Sequence, residues 1–319
     1  MNFSTSTNTD LDTTFLDKNG YVIIKNLITP DHLKKVKLKL SEIQKSESIR
    51  SGGFGFSPLR DQLLRGNKKN SLFFFDTFYY LLKQIIHLSI KIIPPLKQAL
   101  YFHRSTPFNP LNSGYLKNEI HQMLICIIEQ LDNKDSIRTC DLANKGEEFD
   151  VFYQNEQLLN HVKHIIGEDY KLSSLNIRSP KKGNTNQDLH VDFPWAVKGN
   201  QFYACNALFV LDDMNESNGA TRVIPGSHRS GKMPYDEISD LKANHPDQIL
   251  IKAKAGDVIF LNSHVWHGGS SNITGKQRTV IQSYFVHRAH QPQQYQRFQI
   301  RPSTLKRLNN KSLKILDIH

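Results

Sequence analysis

The chain has 319 residues, 38% of them hydrophobic and 22% charged, with a formal net charge of +11. That length is enough for one large domain or two small ones and for a sizeable core. Three cysteines (Cys126, Cys140 and Cys205) in no C-x-x-C spacing exclude a disulfide framework and a cysteine-rich zinc site, and suit a reducing, cytoplasmic setting.

Residues 1–18 are polar and lack the basic start and apolar stretch of a secretion signal, so a loose, flexible tail is expected there. Tyr21 to Lys25 reads as a short strand. Thr29 then has the chemistry of an N-cap, with Pro30 at the first helical position and Asp31 in the first turn. The helix that follows carries Leu33, Val36, Leu38 and Leu40 between lysines. The glycines of "SGGFGFSP" (51–58) lack the strand-to-helix context and the Lys-Ser/Thr of a phosphate loop. The most apolar run, 71–96, is interrupted by Asp76, Lys83, His87 and Lys91 and ended by Pro94 and Pro95. It predicts a buried helix rather than a membrane span, which needs about 20 nearly uninterrupted apolar residues. "YLKNEIHQMLICIIEQL" and "NEQLLNHVKHIIG" are further helix candidates, the second stopped by Gly167.

After Tyr170 the pattern changes. "KLSSLNIRS", "QDLHVDF", "FYACNALFVLDDM", "GATRVIPGSH", "LIKAKAGDVIFLNSHVWHGG" and "RTVIQSYFVHR" are short, rich in β-branched and aromatic residues, and bounded by Gly, Pro, Asn or Asp. "DMNESNG" and "SNITGK" are turns. Helices first and antiparallel strands afterwards predict an α+β fold with a sandwich or barrel-like core. From residue 300 the chain is basic, with Arg301, Lys306, Arg307, Lys311 and Lys314, and a solvated terminal segment is expected.

The stretch "DLHVDFPW" places His190 and Asp192 two apart. On a strand such residues share a face and lie about 6.6 Å apart along the backbone, so both reach one point while Val191 faces the other way. Imidazole plus carboxylate suits Fe(II), Mn or Zn, and a third ligand is needed. "NSHVWHGG" offers His264 and His267, which face opposite sides of a strand. His267, where the apolar run gives way to glycines, is the better candidate. The triad His190, Asp192 and His267 leaves open positions, as in non-haem Fe(II) oxygenases. Arg278 begins a later strand. A buried guanidinium needs an anion, and 2-oxoglutarate, chelating iron at one end, has the shape to meet it. Gln282 and Tyr284 share the strand face of Arg278.

Together "GYVIIKNLITPDHL", "QDLHVDF", "NGATRVIPGSHRSG", "AGDVIFLNSHVWHGG" and Arg278 resemble the phytanoyl-CoA dioxygenase family of Fe(II)/2-oxoglutarate oxygenases over most of residues 19–290. The resemblance implies a double-stranded β-helix, jelly-roll or cupin-like, supported by helices mainly from the N-terminal half. It implies a single oxygenase domain over 19–299 with a helical insert at about 44–150 that matches no quotable pattern. It also implies that His190, Asp192 and His267 hold Fe(II), that Arg278 grips the distal carboxylate of 2-oxoglutarate, and that Gln187, Asn206 and Thr221 help hold that co-substrate. With Asp192 present, the implied reaction uses O₂ to hydroxylate a substrate with release of succinate and CO₂. The expected substrate is a small molecule, such as an acyl-CoA, an amino acid or a carrier-tethered intermediate. The alternative is a non-catalytic jelly-roll protein that binds or senses the same metal and co-substrate. The positive charge raises a nucleic-acid substrate, but the basic tail lacks interleaved aromatic residues, and none is expected. His228 reads as structural, His161 and His164 as helix-packing or surface residues with no carboxylate partner in view, and His287 and His290 as exposed.

Overall fold

A computed structural model describes residues 9–49, 136–294, 296 and 300–318. The predicted apolar helix at 71–96, the 51–58 loop, the helix candidate at 115–131 and most of the 44–150 insert lie outside the described residues. Among the described residues no helix is long and apolar enough to cross a membrane.

Two antiparallel sheets face each other. The larger has the order β1-β7-β4-β9-β3-β2, formed by Tyr21–Ile24 (β1), Ser136–Thr139 (β2), Tyr170–Pro180 (β3), Ala204–Val210 (β4), Val258–Asn262 (β7) and Val280–His287 (β9). The smaller has the order β6-β5-β8, from Thr221–Ile224 (β5), Ile249–Leu250 (β6) and Trp266–Gly269 (β8). This is the double-stranded β-helix expected from the sequence. Strand parity divides the core. Leu208, Val210, Ile259, Leu261 and Val280 point from the large sheet toward Val223 of the small one, and this inner cluster is buried. The alternate residues Ala207, Phe209, Phe260, Ile281 and Phe285 point outward, where helices cover them. Both faces are therefore apolar, which is why these strands read as nearly continuous hydrophobic runs.

The covering helices follow from local chemistry. Pro30–Ile49 (α2) starts where the Thr29 hydroxyl accepts from the His32 amide at 3.3 Å. It buries Val36 and Leu40 but leaves Leu38 exposed. A short helix, Val151–Gln154 (α3), sets Phe152 edge-on to Phe209, with centroids 4.7 Å apart. Glu156–Ile166 (α4) is capped by Asn155, whose side chain accepts from the Leu158 amide, and ends at Gly167.

Both ends of the domain differ from the sequence reading. The last part of the expected loose tail is a helix, Thr9–Asn19 (α1), with Leu16 fully buried and the Phe15 ring edge-on to Tyr21 at 5.4 Å. Gly20 ends it with a φ of +78°, and a side chain there would strike His228 at 2.6 Å. The basic terminal segment is likewise folded onto the core as Pro302–Leu305 (α5) and Asn310–Ile315 (α6). Ile315 and Leu316 are buried against the outer cluster. Arg307 pairs with Asp150, the N-cap of α3, and Lys311 with Glu156 of α4, so two of the segment's cations meet acids of the folded domain.

Candidate metal centre and co-substrate pocket

The segment 187–192 is not a full ladder strand, contrary to the sequence reading. It runs beside β8 through one isolated bridge, in which His190 and His267 exchange backbone hydrogen bonds of 2.9 and 3.0 Å, and through the Gln187 amide, which donates to the Gly269 carbonyl at 2.8 Å. That bridge is enough to set the alternation. Leu189 packs with Trp266 and Ile224, and Val191 against them, on the far face of the small sheet. His190 and Asp192 turn the other way, toward His267.

The three side chains converge. One ligand atom from each of His190, Asp192 and His267 lies within 4.8 Å of the others. His190 Nε2 is 3.7 Å from Asp192 Oδ1, and His267 Nε2 is 3.5 Å from Asp192 Oδ2. Each imidazole is oriented by its other nitrogen. Nδ1–H of His190 donates to the Asp188 carbonyl at 2.8 Å, and that of His267 to the Val265 carbonyl at 2.9 Å. With the proton fixed on Nδ1, both Nε2 lone pairs point at the carboxylate, the arrangement metal-binding histidines use. Asn206 donates to Asp192 Oδ2 at 2.8 Å, and the Tyr284 hydroxyl to the Asp192 carbonyl at 3.2 Å.

The electrostatics suit a cation. Burial, together with the charge of His267, pushes His190 down to about 4 against the pull of Asp192, which keeps the ring neutral and able to coordinate. Burial alone would raise Asp192, but His267, His190, the Asn206 hydrogen bond and Arg178 together hold it below the usual carboxylate range. Two imidazoles and one carboxylate make a donor set fitted to a divalent first-row metal. His264, the competing histidine, is buried outside the triad, with its Nδ1 3.1 Å from Asn262 Oδ1.

Arg278 lies beside Gly269, two residues along β8 from His267. Arg278 is buried, donates to the Gly219 carbonyl, and leaves its Nε without a partner. Burial and the neighbouring Arg178 lower it to about 10. It stands two residues ahead of β9 rather than inside it. Gln187 Oε1 accepts from the Gly269 amide at 3.2 Å. Thr221 pairs directly with Gly269 across β5 and β8, so both face the same space. Asn206 donates from Nδ2 to Asp192 Oδ2, and its buried Oδ1 has no hydrogen-bond partner. Gln282 lies opposite Asn176 on the inner face, and Tyr284 closes on Asp192 as above.

Sequence reasoning missed Arg178. The β3–β9 register pairs it with inward-facing Val280, and its charge acts on His190, Asp192 and Arg278. The available signal was the alternation Leu175, Asn176, Ile177, Arg178, which puts Asn176 and Arg178 on one face. Among the remaining histidines, His228 is buried and donates to the Asp17 carbonyl at 3.1 Å, in keeping with a structural role. His164 does have a carboxylate partner, Asp17 at 2.8 Å, supplied by the helix at the N-terminus. His290 is half-buried among Phe193, Trp195 and Tyr203 rather than exposed.

Comparison with known proteins agrees with this architecture. The sequence model of the phytanoyl-CoA dioxygenase family matches residues 16–280. "Dioxygenase af480" of Aspergillus fumigatus is 27% identical over 150 residues, 43% of this chain and 46% of that protein. "Fe(II)/2-oxoglutarate-dependent dioxygenase nvfF" of Aspergillus novofumigatus is 32% identical over 145 residues, covering 43% and 46%. The chain thus spans about half the length of the curated relatives it matches. Among solved structures, apo HygX from Streptomyces hygroscopicus shares the fold with a TM-score of 0.51 at 11% identity, covering 88% of this chain and 87% of that one. The iron-bound form gives 0.50 at 11% identity, covering 86% and 85%.

Proposed function

This chain belongs to the phytanoyl-CoA dioxygenase family, and from that premise we propose that it is an Fe(II)- and 2-oxoglutarate-dependent oxygenase that hydroxylates a small molecule. The observation that carries the reading is the pair of Nδ1–H···O=C bonds that aim His190 and His267 at the Asp192 carboxylate. Fe(II), when bound, supplies the redox chemistry that couples O₂ and decarboxylation of 2-oxoglutarate to oxidation of a substrate C–H bond. The chain's own part is binding and orientation. His190, Asp192 and His267 hold the metal on one side and leave the other side open. Arg278, buried and with Nε unpartnered, takes the distal carboxylate of 2-oxoglutarate. Gln187 and Thr221 border that space, and Asn206 fixes the Asp192 carboxylate. The substrate is a small organic molecule, free or tethered to CoA or a carrier. A cytoplasmic setting belongs to the same proposal, since it keeps the buried thiol of Cys205 reduced.

The test needs no knowledge of the substrate. Fe(II) and 2-oxoglutarate added together without air should give the visible charge-transfer absorption of the chelated complex. Admission of O₂ should then release succinate. His190→Ala and Asp192→Ala should abolish both signals. Arg278→Ala should require at least tenfold more 2-oxoglutarate for the same absorption. Absorption without succinate across a broad substrate panel would favour a sensing protein; no absorption at all would remove the metal assignment.

A further inference from the structure

Segment 187–192 carries two of the three metal-site residues, and its ladder to β8 is short: the His190–His267 bridge and the Gln187 amide on the Gly269 carbonyl at 2.8 Å. Edge segments with so few ladder bonds open easily, and side-chain contacts can fix them further. On the face of the small sheet away from the triad lies Arg222, fully buried and with no carboxylate in its hydrogen-bond set. It pairs with Gly268 across β5 and β8, and its side chain passes over that glycine. Nη2 donates to the Gln187 carbonyl at 2.5 Å and to the Leu241 carbonyl at 2.6 Å. Nη1 donates to the Ala243 carbonyl at 2.7 Å. The Leu241 carbonyl also accepts from the Leu189 amide at 2.9 Å. One planar guanidinium therefore ties the segment's entry to the 241–243 loop, which in turn holds the residue before His190.

We propose that Arg222 is a positioning residue for the metal centre, whose guanidinium staples the segment bearing His190 and Asp192 against β8 and the 241–243 loop. Gly268 is the other half of the device. A side chain there would sit 3.1 Å from the Gln187 carbonyl oxygen and 3.2 Å from that of Asp188, so only glycine lets the segment approach this closely. A lysine cannot replace Arg222, because one ammonium cannot span carbonyls that the fork reaches together. Removing the staple leaves the ligands present but loosely aimed, a loss that typically costs 10–100-fold in metal affinity.

The inference rests on the triad binding a divalent ion, and the experiment separates the two. Co(II) is the probe, with its affinity measured by calorimetry and its coordination by visible absorption. Wild-type protein that binds no Co(II) would sink the metal reading itself. Given wild-type binding, Arg222→Lys should weaken Co(II) affinity about tenfold or more and alter the Co(II) spectrum. Leu158→Ala, a core change under α4, should lower the melting temperature with affinity and spectrum unchanged. Should Arg222→Lys fail to fold, Gly268→Ala pushes directly on the Gln187 and Asp188 carbonyls while the Arg222 guanidinium is retained 3.4 Å away, and the same weakening is expected. Wild-type affinity and spectrum in folded Arg222→Lys, or in Gly268→Ala, would overturn the positioning role.

Discussion

Gly269 stands where β8 passes the guanidinium of Arg278, and its backbone does not adopt a positive φ. Its value is therefore space rather than conformation. A first side-chain carbon there would lie 3.6 Å from Gln187 Oε1 and 3.9 Å from Arg278 Nη2, inside the space proposed for 2-oxoglutarate. Gly269→Ala leaves ordinary contact distances, whereas Gly269→Val drives branched carbons into the pocket. We expect Gly269→Val to raise the KM for 2-oxoglutarate about tenfold or more, with Co(II) affinity near that of the wild type. Gly269→Ala should have a smaller effect. Steady-state succinate assays across 2-oxoglutarate concentrations check this; an unchanged KM would move the co-substrate elsewhere.

At the scale of elements, the terminal helices matter more than their composition suggests. Leu316 follows α6 and is fully buried in the outer cluster. Leu316→Ala should cost about 2–5 kcal/mol of unfolding free energy, while Lys306→Ala on an exposed position should stay within about 0.5 kcal/mol; urea unfolding of both checks it. These elements also mark where the sequence was legible. The H-x-D pair and His267 were readable because alternation puts His190 and Asp192 on one face even when a single bridge replaces a ladder. The helix at 156–166 was readable because it has an Asn cap, an apolar stripe and a glycine stop. The ends were not, because α1 and α6 are mostly polar and are held by few anchors, Leu16 in one and Ile315 with Leu316 in the other. Arg178 was hidden for a different reason. Its direction depends on the register between β3 and β9, strands far apart in sequence.

For the molecule as a whole, buried histidines set the acid limit. Burial, with His228 and His290 nearby and Asp192 opposing, pushes His264 down to about 4 from an ordinary 6.5. His228 is lowered mainly by burial. An unfolded chain takes up these protons near 6.5, whereas the folded protein refuses them. The unfolded state binds more protons over that interval, so stability falls as pH drops. Both rings lie against Phe202, with His228 also bonded to α1, so the loss is global rather than local. The metal-free protein should lose on the order of 2 kcal/mol through His264 between about pH 6.5 and about pH 5, with His228 adding to the loss in the same direction. His264→Phe, among Phe193 and Phe202, should flatten the profile of melting temperature against pH; an unaltered slope would assign the acid limit to other groups.

The strand order carries a consequence for biosynthesis. Tyr21 pairs with Leu261, so β1 borders a strand far later in the sequence. During vectorial synthesis the apolar Tyr21–Ile24 stretch waits unpartnered until β7 emerges, and such non-local pairing slows folding. Chaperone demand in heterologous expression should accordingly centre on this early, unpartnered strand.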